Sequence, residues 1–202
     1  MKPFISDLTK ILGEPLPGWP AQKHLMPEGR ELEQIHGKLH PAAVLIALFE
    51  KDDEWWFPLI RRTVDGFAHS GQIALPGGRR DGDESDIQTA LREAHEEVNI
   101  HPQMVQIVGR TSPLPIPVSN HLVQPVVGYL HELPEFKPEP LEVAEIFYVE
   151  VGQFRDQQVR FESRHFKERD WEIPFFEIQG HRVWGATAMI LSEFKTLLSR
   201  VT

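Results

Sequence analysis

The chain has 202 residues, 41% hydrophobic and 25% charged, a balance that excludes a disordered or membrane-embedded protein and predicts one main globular domain. With 21 Lys and Arg against 30 Asp and Glu the net charge is -9, which argues against nucleic acid as the main partner and leaves room for a small phosphate ester bridged by cations. The absence of cysteine excludes a disulfide scaffold, a thiolate metal site and a thiol nucleophile.

Met1 to Gly13 alternates polar and apolar residues without a long apolar core. It reads as neither signal peptide nor membrane anchor, so a cytoplasmic protein with no membrane association is expected. Pro15, Pro17, Gly18 and Pro20 then break the pattern. They predict a short N-terminal helix and a Pro-rich arm over 1–40, followed by a domain over 41–202. Ala42 to Phe49 and Trp55 to Ile60 are apolar runs of strand length, and Lys51, Asp52 and Asp53 form a turn between them, which predicts a buried hairpin. Trp55 and Trp56 are adjacent and face opposite ways on a strand, one expected in the core and the other exposed.

From Asp65 to Asp83 the chain is rich in Gly and polar residues. A helix is expected from Ser85 to Asn99, with Ile87, Ala90, Leu91, Ala94 and Val98 on one stripe, and Ser85 and Gln88 have the spacing of a capping box. Further strands are expected at Met104 to Arg110, Leu122 to Leu130, Val143 to Glu150, Trp171 to Ile178 and His181 to Trp184. An amphipathic helix from about Ala186 to Ser199 closes the chain. Strands on both sides of a mid-chain helix imply layered α/β or α+β architecture.

The chemistry concentrates between Gly78 and Ile100. Glu93, Glu96 and Glu97 have helical i, i+3, i+4 spacing, which is expected to group three carboxylates on the face away from the apolar stripe. Such a run is usually a solvated helix face. Like charges this close repel by roughly 0.2–0.5 kcal/mol per exposed pair, so a cation is expected above them, and hard Mg²⁺ or Mn²⁺ suits oxygen ligands.

Glu84 lies six residues after Gly78, and eight and nine more reach Arg92 and Glu93. With Glu96 and Glu97, this series resembles the Nudix box: glycine, five residues, glutamate, seven residues, then Arg-Glu-apolar-any-Glu-Glu-any-Gly-apolar. Asn99 stands at the last glycine, where asparagine is the other residue that enters the left-handed conformation at low cost, and Ala94 is a small choice for the apolar slot. The resemblance implies a Nudix fold, a mixed β-sheet sandwiched between α-helices. It further implies a hydrolase that cuts a pyrophosphate bond in a nucleoside diphosphate derivative. Glu96 and Glu97 would be the main metal ligands, with the Gly78 carbonyl a further ligand. Glu93 would bind metal or deprotonate the attacking water, and Glu84 would support the site. Arg92, one turn before Glu96, is placed to fix that carboxylate.

Upstream, Arg61, Arg62, His69, Gly71, Gln72, Pro76, Gly77 and Gly78 resemble the additional motif of the coenzyme A pyrophosphatases within this superfamily. Phe67 replaces a second arginine of that motif, Gly66 a leucine and Leu75 a phenylalanine. The resemblance implies Arg61, Arg62, His69 and Gln72 as substrate-binding residues. The implied reaction converts coenzyme A or a derivative to 4′-phosphopantetheine and adenosine 3′,5′-bisphosphate. ADP-ribose and NADH are the alternative substrates, and a nucleotide-sensing module without turnover is the alternative class. The retained Arg92, Glu93, Glu96 and Glu97 favour the enzyme.

Glu142 or Glu145 is a further candidate ligand or base, although each alone reads as an exposed strand-edge acid. Trp184 reads as a core anchor. His121 and His165 lack the spacing of a zinc protease. The partner implied is a small nucleotide, and a homodimer is compatible with the sequence.

Overall fold

The computed structural model describes residues 2–28, 37–64, 70–166 and 169–201. In chain order the elements are α1 (Pro3–Leu12), α2 (Trp19–Gln22), β1 (His40–Lys51), β2 (Glu54–Arg62), β3 (Ile73–Ala74), β4 (Gly77–Arg79), α3 (Asp86–Val98), β5 (Val105–Arg110) and β6 (Leu114–Ile116). They continue as β7 (His121–Leu130), β8 (Val143–Glu150), α4 (Val151–Arg155), β9 (Val159–Phe166), β10 (Arg169–Ile178), β11 (His181–Trp184) and α5 (Gly185–Leu198).

The long apolar run of β1 is explained by burial on both faces. Ala43, Leu45, Ala47 and Phe49 pack with Ala90, Ala94 and Val98 of α3, while Ile46 and Leu48 pack with Ile5, Leu8, Phe57 and Phe194 on the opposite side. β1 runs parallel to β7 from His40↔His121 to Leu48↔Tyr129, with β5 and β6 antiparallel to β7. The result is a mixed sheet with helices on both sides, and β9 to β11 form a separate three-stranded sheet. Among the described residues no helix is long and apolar enough to cross a membrane.

The expected hairpin forms only at its tip. Asp52 and Asp53 both adopt positive φ, 53° and 62°, as a two-residue hairpin turn requires, and the pairing covers Phe49↔Trp56, Glu50↔Trp55 and Lys51↔Glu54. Beyond those pairs β2 leaves β1 to join β3 and β8, and β4 takes its place beside β1 at Ala42–Val44. This splay admits the Gly-rich segment into the sheet. Trp55 and Trp56 are both half-buried, contrary to expectation, because helices cover both sides of the sheet. Trp55 stacks on Phe4 at 5.1 Å, and Trp56 packs on the other core and donates to the Lys51 carbonyl at 3.1 Å.

The closing helix α5 forms where an amphipathic helix was expected, but it is buried around more than one face. Ala188 through Phe194 are all buried, because the N-terminal segment covers the side that solvent would otherwise meet. Ile5, Leu8 and Leu25 of that segment share one core with Leu191, Phe194 and Leu197. A buried carboxylate fixes the arrangement. Glu193, 0% exposed, accepts from Gly18 N at 2.9 Å, Gln22 Nε2 at 2.9 Å and Ser112 N at 3.2 Å. Glu193→Leu is expected to destabilise the protein by several kcal/mol, at about 1–3 kcal/mol for each buried donor left without an acceptor. Urea unfolding measures it, and a change under about 1 kcal/mol would show that the donors find other acceptors.

Candidate active site

The site is built where β4 and α3 meet. Ser85 caps α3 by accepting from Gln88 N, and the Gln88 side-chain oxygen accepts in turn from Ser85 N. Asn99 ends the helix at φ 61°, ψ 32°, the left-handed conformation that glycine supplies in the box pattern. Between these ends the three glutamates do not share an outer face. Glu97 is 1% exposed and points into the protein, Glu93 is half-buried, and the Glu96 side chain is 56% exposed.

Arg92 organises the outer carboxylates. Its Nε donates to Glu84 Oε1 at 2.8 Å, and Nη1 donates to Glu93 Oε1 and Glu96 Oε2, each at 2.8 Å. Nη2 donates to the Arg79 carbonyl at 2.9 Å and so ties the helix to β4. The bond from Arg92 holds the Glu84 carboxyl down at about 2, with further donation from Asp81 N and Thr89 Oγ1.

Glu97 is held differently. Its Oε2 accepts from Gly77 N at 2.8 Å and its Oε1 from Arg62 Nη1 at 3.3 Å. Burial raises its pKa to about 7, opposed by the Gly77 bond and the Arg62 charge and assisted by the charges of Glu93 and Glu142. Burial also raises Glu93, against the bond from Arg92. A carboxyl that binds its proton more tightly when folded stabilises the protein fully below the unfolded value near 4.5 and loses that contribution as pH rises through about 7. In chelator-treated protein, the thermal midpoint of Glu97→Gln relative to wild type is therefore expected to climb between about pH 5 and pH 8. A constant difference across that interval would refute it.

Glu93 and Glu97 line a cavity of about 490 Å³ together with Gly77, Gly78, Arg62 and Gln72. Arg79, His121, Glu142 and Trp184 contribute to its wall as well. A Cβ built on Gly78 would lie 2.4 Å from Glu93 Oε2, so the carboxylate rests directly on the glycine backbone. Arg79 Nε donates to His121 Nε2 at 2.8 Å across the wall.

Of the residues expected at the site, Arg62, Gln72, Gly78, Glu93 and Glu97 converge on this cavity. Glu84, Arg92 and Glu96 brace it from outside, while Arg61 turns to Glu145 at 2.9 Å and faces a neighbouring cavity. His69, with Gly66 and Phe67, lies outside the described residues. Glu142 and Glu145 separate cleanly, since Glu142 lines the cavity and Glu145 pairs with Arg61. Trp184 is half-buried and lines both cavities rather than anchoring the core. Arg79, one of the arginines able to replace the one lost at Phe67, lies at the cavity, while His121 was not anticipated there because it reads as one histidine among ten.

Among the described residues no three acidic or histidine side chains already converge as a metal centre. The donors nonetheless suit a hard dication. They are all oxygen, two are desolvated carboxyls with raised pKa, and Glu142 adds a third negative charge at the same cavity. A dication would offset the burial, and the lesser mutual repulsion, that raise those carboxyls.

A family model described as the NUDIX domain matches residues 38–170. The chain is 34% identical over 181 residues to mitochondrial Nudix hydrolase 15 of Arabidopsis thaliana, covering 84% of this chain and 62% of that protein. It is 34% identical over 137 residues to a peroxisomal coenzyme A diphosphatase of Mus musculus, covering 67% of this chain and 58% of that protein. The chain thus spans less than two thirds of the length of either relative. Among solved structures, a MutT protein from Methanosarcina mazei superposes with a TM-score of 0.51 at 18% identity, covering 82% of this chain and 94% of that one. At that identity the likeness concerns the fold alone.

Proposed function

The chain belongs to the Nudix domain family, and from that premise we propose that it hydrolyses the pyrophosphate bond of a nucleoside diphosphate derivative, with coenzyme A or a derivative as substrate. The observation that carries the reading is a single cavity lined both by desolvated Glu93 and Glu97 and by the cationic side chains Arg62 and Arg79. Carboxylates alone would repel a pyrophosphate, and guanidiniums alone would bind it without cutting it. Together they suit a bound dication on one side and substrate phosphates on the other.

Glu93 and Glu97, joined by Glu96 if its contact with Arg92 swings open, would hold Mg²⁺ or Mn²⁺. When bound, such an ion lowers the pKa of water and neutralises charge on the phosphoryl oxygens. Glu93 takes the proton of the attacking water at Oε2, the oxygen that Arg92 does not engage. Arg92 fixes this half-buried carboxylate at the cavity, whereas Glu142 is exposed. Arg92 holds Glu93 and Glu96 in register, and Arg62 keeps Glu97 oriented while facing the substrate.

The choice of coenzyme A rests on the upstream motif with Arg62, Gln72 and Gly77–Gly78, and on similarity to a coenzyme A diphosphatase. Product analysis after incubation with coenzyme A, ADP-ribose or NADH, each with Mg²⁺ or Mn²⁺, tests it. Release of adenosine 3′,5′-bisphosphate from coenzyme A is the expected result. Preferential cleavage of ADP-ribose or NADH would replace the substrate and keep the chemistry, and no cleavage of any of them would overturn the enzyme reading.

A further inference from the structure

Beside the catalytic cavity lies a second, of about 540 Å³, lined by Arg61, Arg164, His181 and Arg182 with the backbone of Gly71 and Gly180. The three arginines come from β2, β9 and β11, far apart in sequence, so their meeting is a product of the fold. Each is held by a carboxylate that does not itself line the cavity. Arg61 donates through Nε to Glu145 at 2.9 Å, Arg182 through Nη1 to Glu162 at 2.6 Å, and Arg164 through Nε and Nη2 to Glu162 at 3.3 Å. Arg182 is also seated over the Phe175 ring at 5.6 Å.

A guanidinium has five N–H donors, and these bonds use one, one and two of them. Among the described residues, several donors from three directions therefore remain for a ligand. Among the described residues, the three arginines against Glu145 and Glu162 leave 3 − 2 = +1 locally, in a chain whose net charge is -9. Planar forks arranged around a volume of this size suit a dianion with three equivalent oxygens. Gln72, Ile73 and Trp184 line both cavities, so one molecule can occupy the two together.

We propose that this second cavity binds a phosphate monoester carried on the ribose of the substrate nucleotide and makes that phosphate the determinant of substrate choice. The inference rests on the hydrolase reading for its consequence, because the pyrophosphate would lie in the first cavity and the nucleoside along the shared wall. A ribose phosphate occurs at the 3′ position in coenzyme A and at the 2′ position in NADPH. Either presents the same dianion to Arg61, Arg164 and Arg182.

The test is calorimetric titration with adenosine 3′,5′-bisphosphate, adenosine 2′,5′-bisphosphate and 5′-AMP, on wild type and on the double variant Arg164→Ala/Arg182→Gln. Wild type is expected to bind one bisphosphate about ten- to a hundredfold more tightly than 5′-AMP, and the variant to lose that preference while binding 5′-AMP unchanged. Whichever bisphosphate is preferred identifies the position of the phosphate. Equal binding of all three by wild type overturns the proposal, as does a variant that keeps the preference. In steady-state assays the variant should raise KM for coenzyme A and leave KM for 3′-dephospho-coenzyme A unchanged, which also shows that it folds. A bisphosphate preference that persists in a protein cleaving none of these compounds would retain the cavity and discard the hydrolase reading.

Discussion

Glu97→Gln is expected to lower turnover about a hundredfold or more while leaving the protein as stable as wild type, or more stable above neutral pH. Glutamine keeps the shape of the side chain and can keep an acceptor toward Gly77 N, which now donates at 2.8 Å. It cannot supply the charge a dication needs, and its amide would point a donor at Arg62, which now donates to Oε1. Loss of even a supporting partner of a metal ligand typically costs 10–100-fold, so loss of the ligand itself should cost at least about that. Stability should move the other way because a carboxyl with 1% exposure and a pKa raised to about 7 resists ionisation, and the neutral amide removes that burden. Turnover with the preferred substrate and the thermal midpoint, measured on the same preparations, separate the possibilities. Retained turnover would remove Glu97 from the site, and activity lost in step with stability would make its role structural.

The position of Glu97 shows where the sequence was legible and where it was misread. The local chemistry of α3 was plain, since Ser85 with Gln88 forms the expected capping box and Asn99 takes the left-handed end. The three glutamates were expected on one polar face, yet at about 100° per residue Glu97 lies only about 20° around the helix from Ala90 and belongs to the apolar stripe. Glu96, about 120° from Ala90 on the same geometry, is the exposed one. The small side chains Ala90 and Ala94 let α3 approach β1 closely enough to cover a glutamate beside them. Seven-residue spacing from Ala90 was the available signal.

Other features depend on long-range partners and leave weaker traces. The stretch from Val159 to Phe166 alternates Arg160, Glu162 and Arg164 with only two strongly apolar residues, Val159 and Phe161, on the other side, and it is a strand because β10 pairs with it. The burial of α5 beyond a single apolar face left no local trace, because the segment that covers it lies more than 150 residues upstream. The second cavity was equally hidden, since Arg61 and Arg182 come from opposite ends of the domain. By contrast β1 was recognised from its apolar run alone, because burial on both faces requires an uninterrupted one.

The paired glycines of β4 provide the other large effect, and they divide structure from chemistry at adjacent positions. Gly77 has φ 153°, and a Cβ there would meet the Ala43 carbonyl at 2.4 Å and Val44 Cα at 2.5 Å, both backbone atoms of the central strand. Gly77→Ala is expected to destabilise the protein by at least about 1–3 kcal/mol, because neither the strand nor the strained conformation can relax locally. At Gly78 the obstruction is instead the Glu93 carboxylate, 2.4 Å from the added Cβ at Oε2, and that side chain can rotate away. Gly78→Ala should therefore fold nearly as well as wild type, within about 1 kcal/mol by urea unfolding, yet lose activity about a hundredfold, the usual cost of displacing a catalytic group by about an ångström. If Gly78→Ala proved as active as wild type, the placement of Glu93 against that backbone would be irrelevant to turnover and the general base would have to be sought at Glu142. If instead Gly78→Ala lost stability as severely as Gly77→Ala, both glycines would be required by the strand alone.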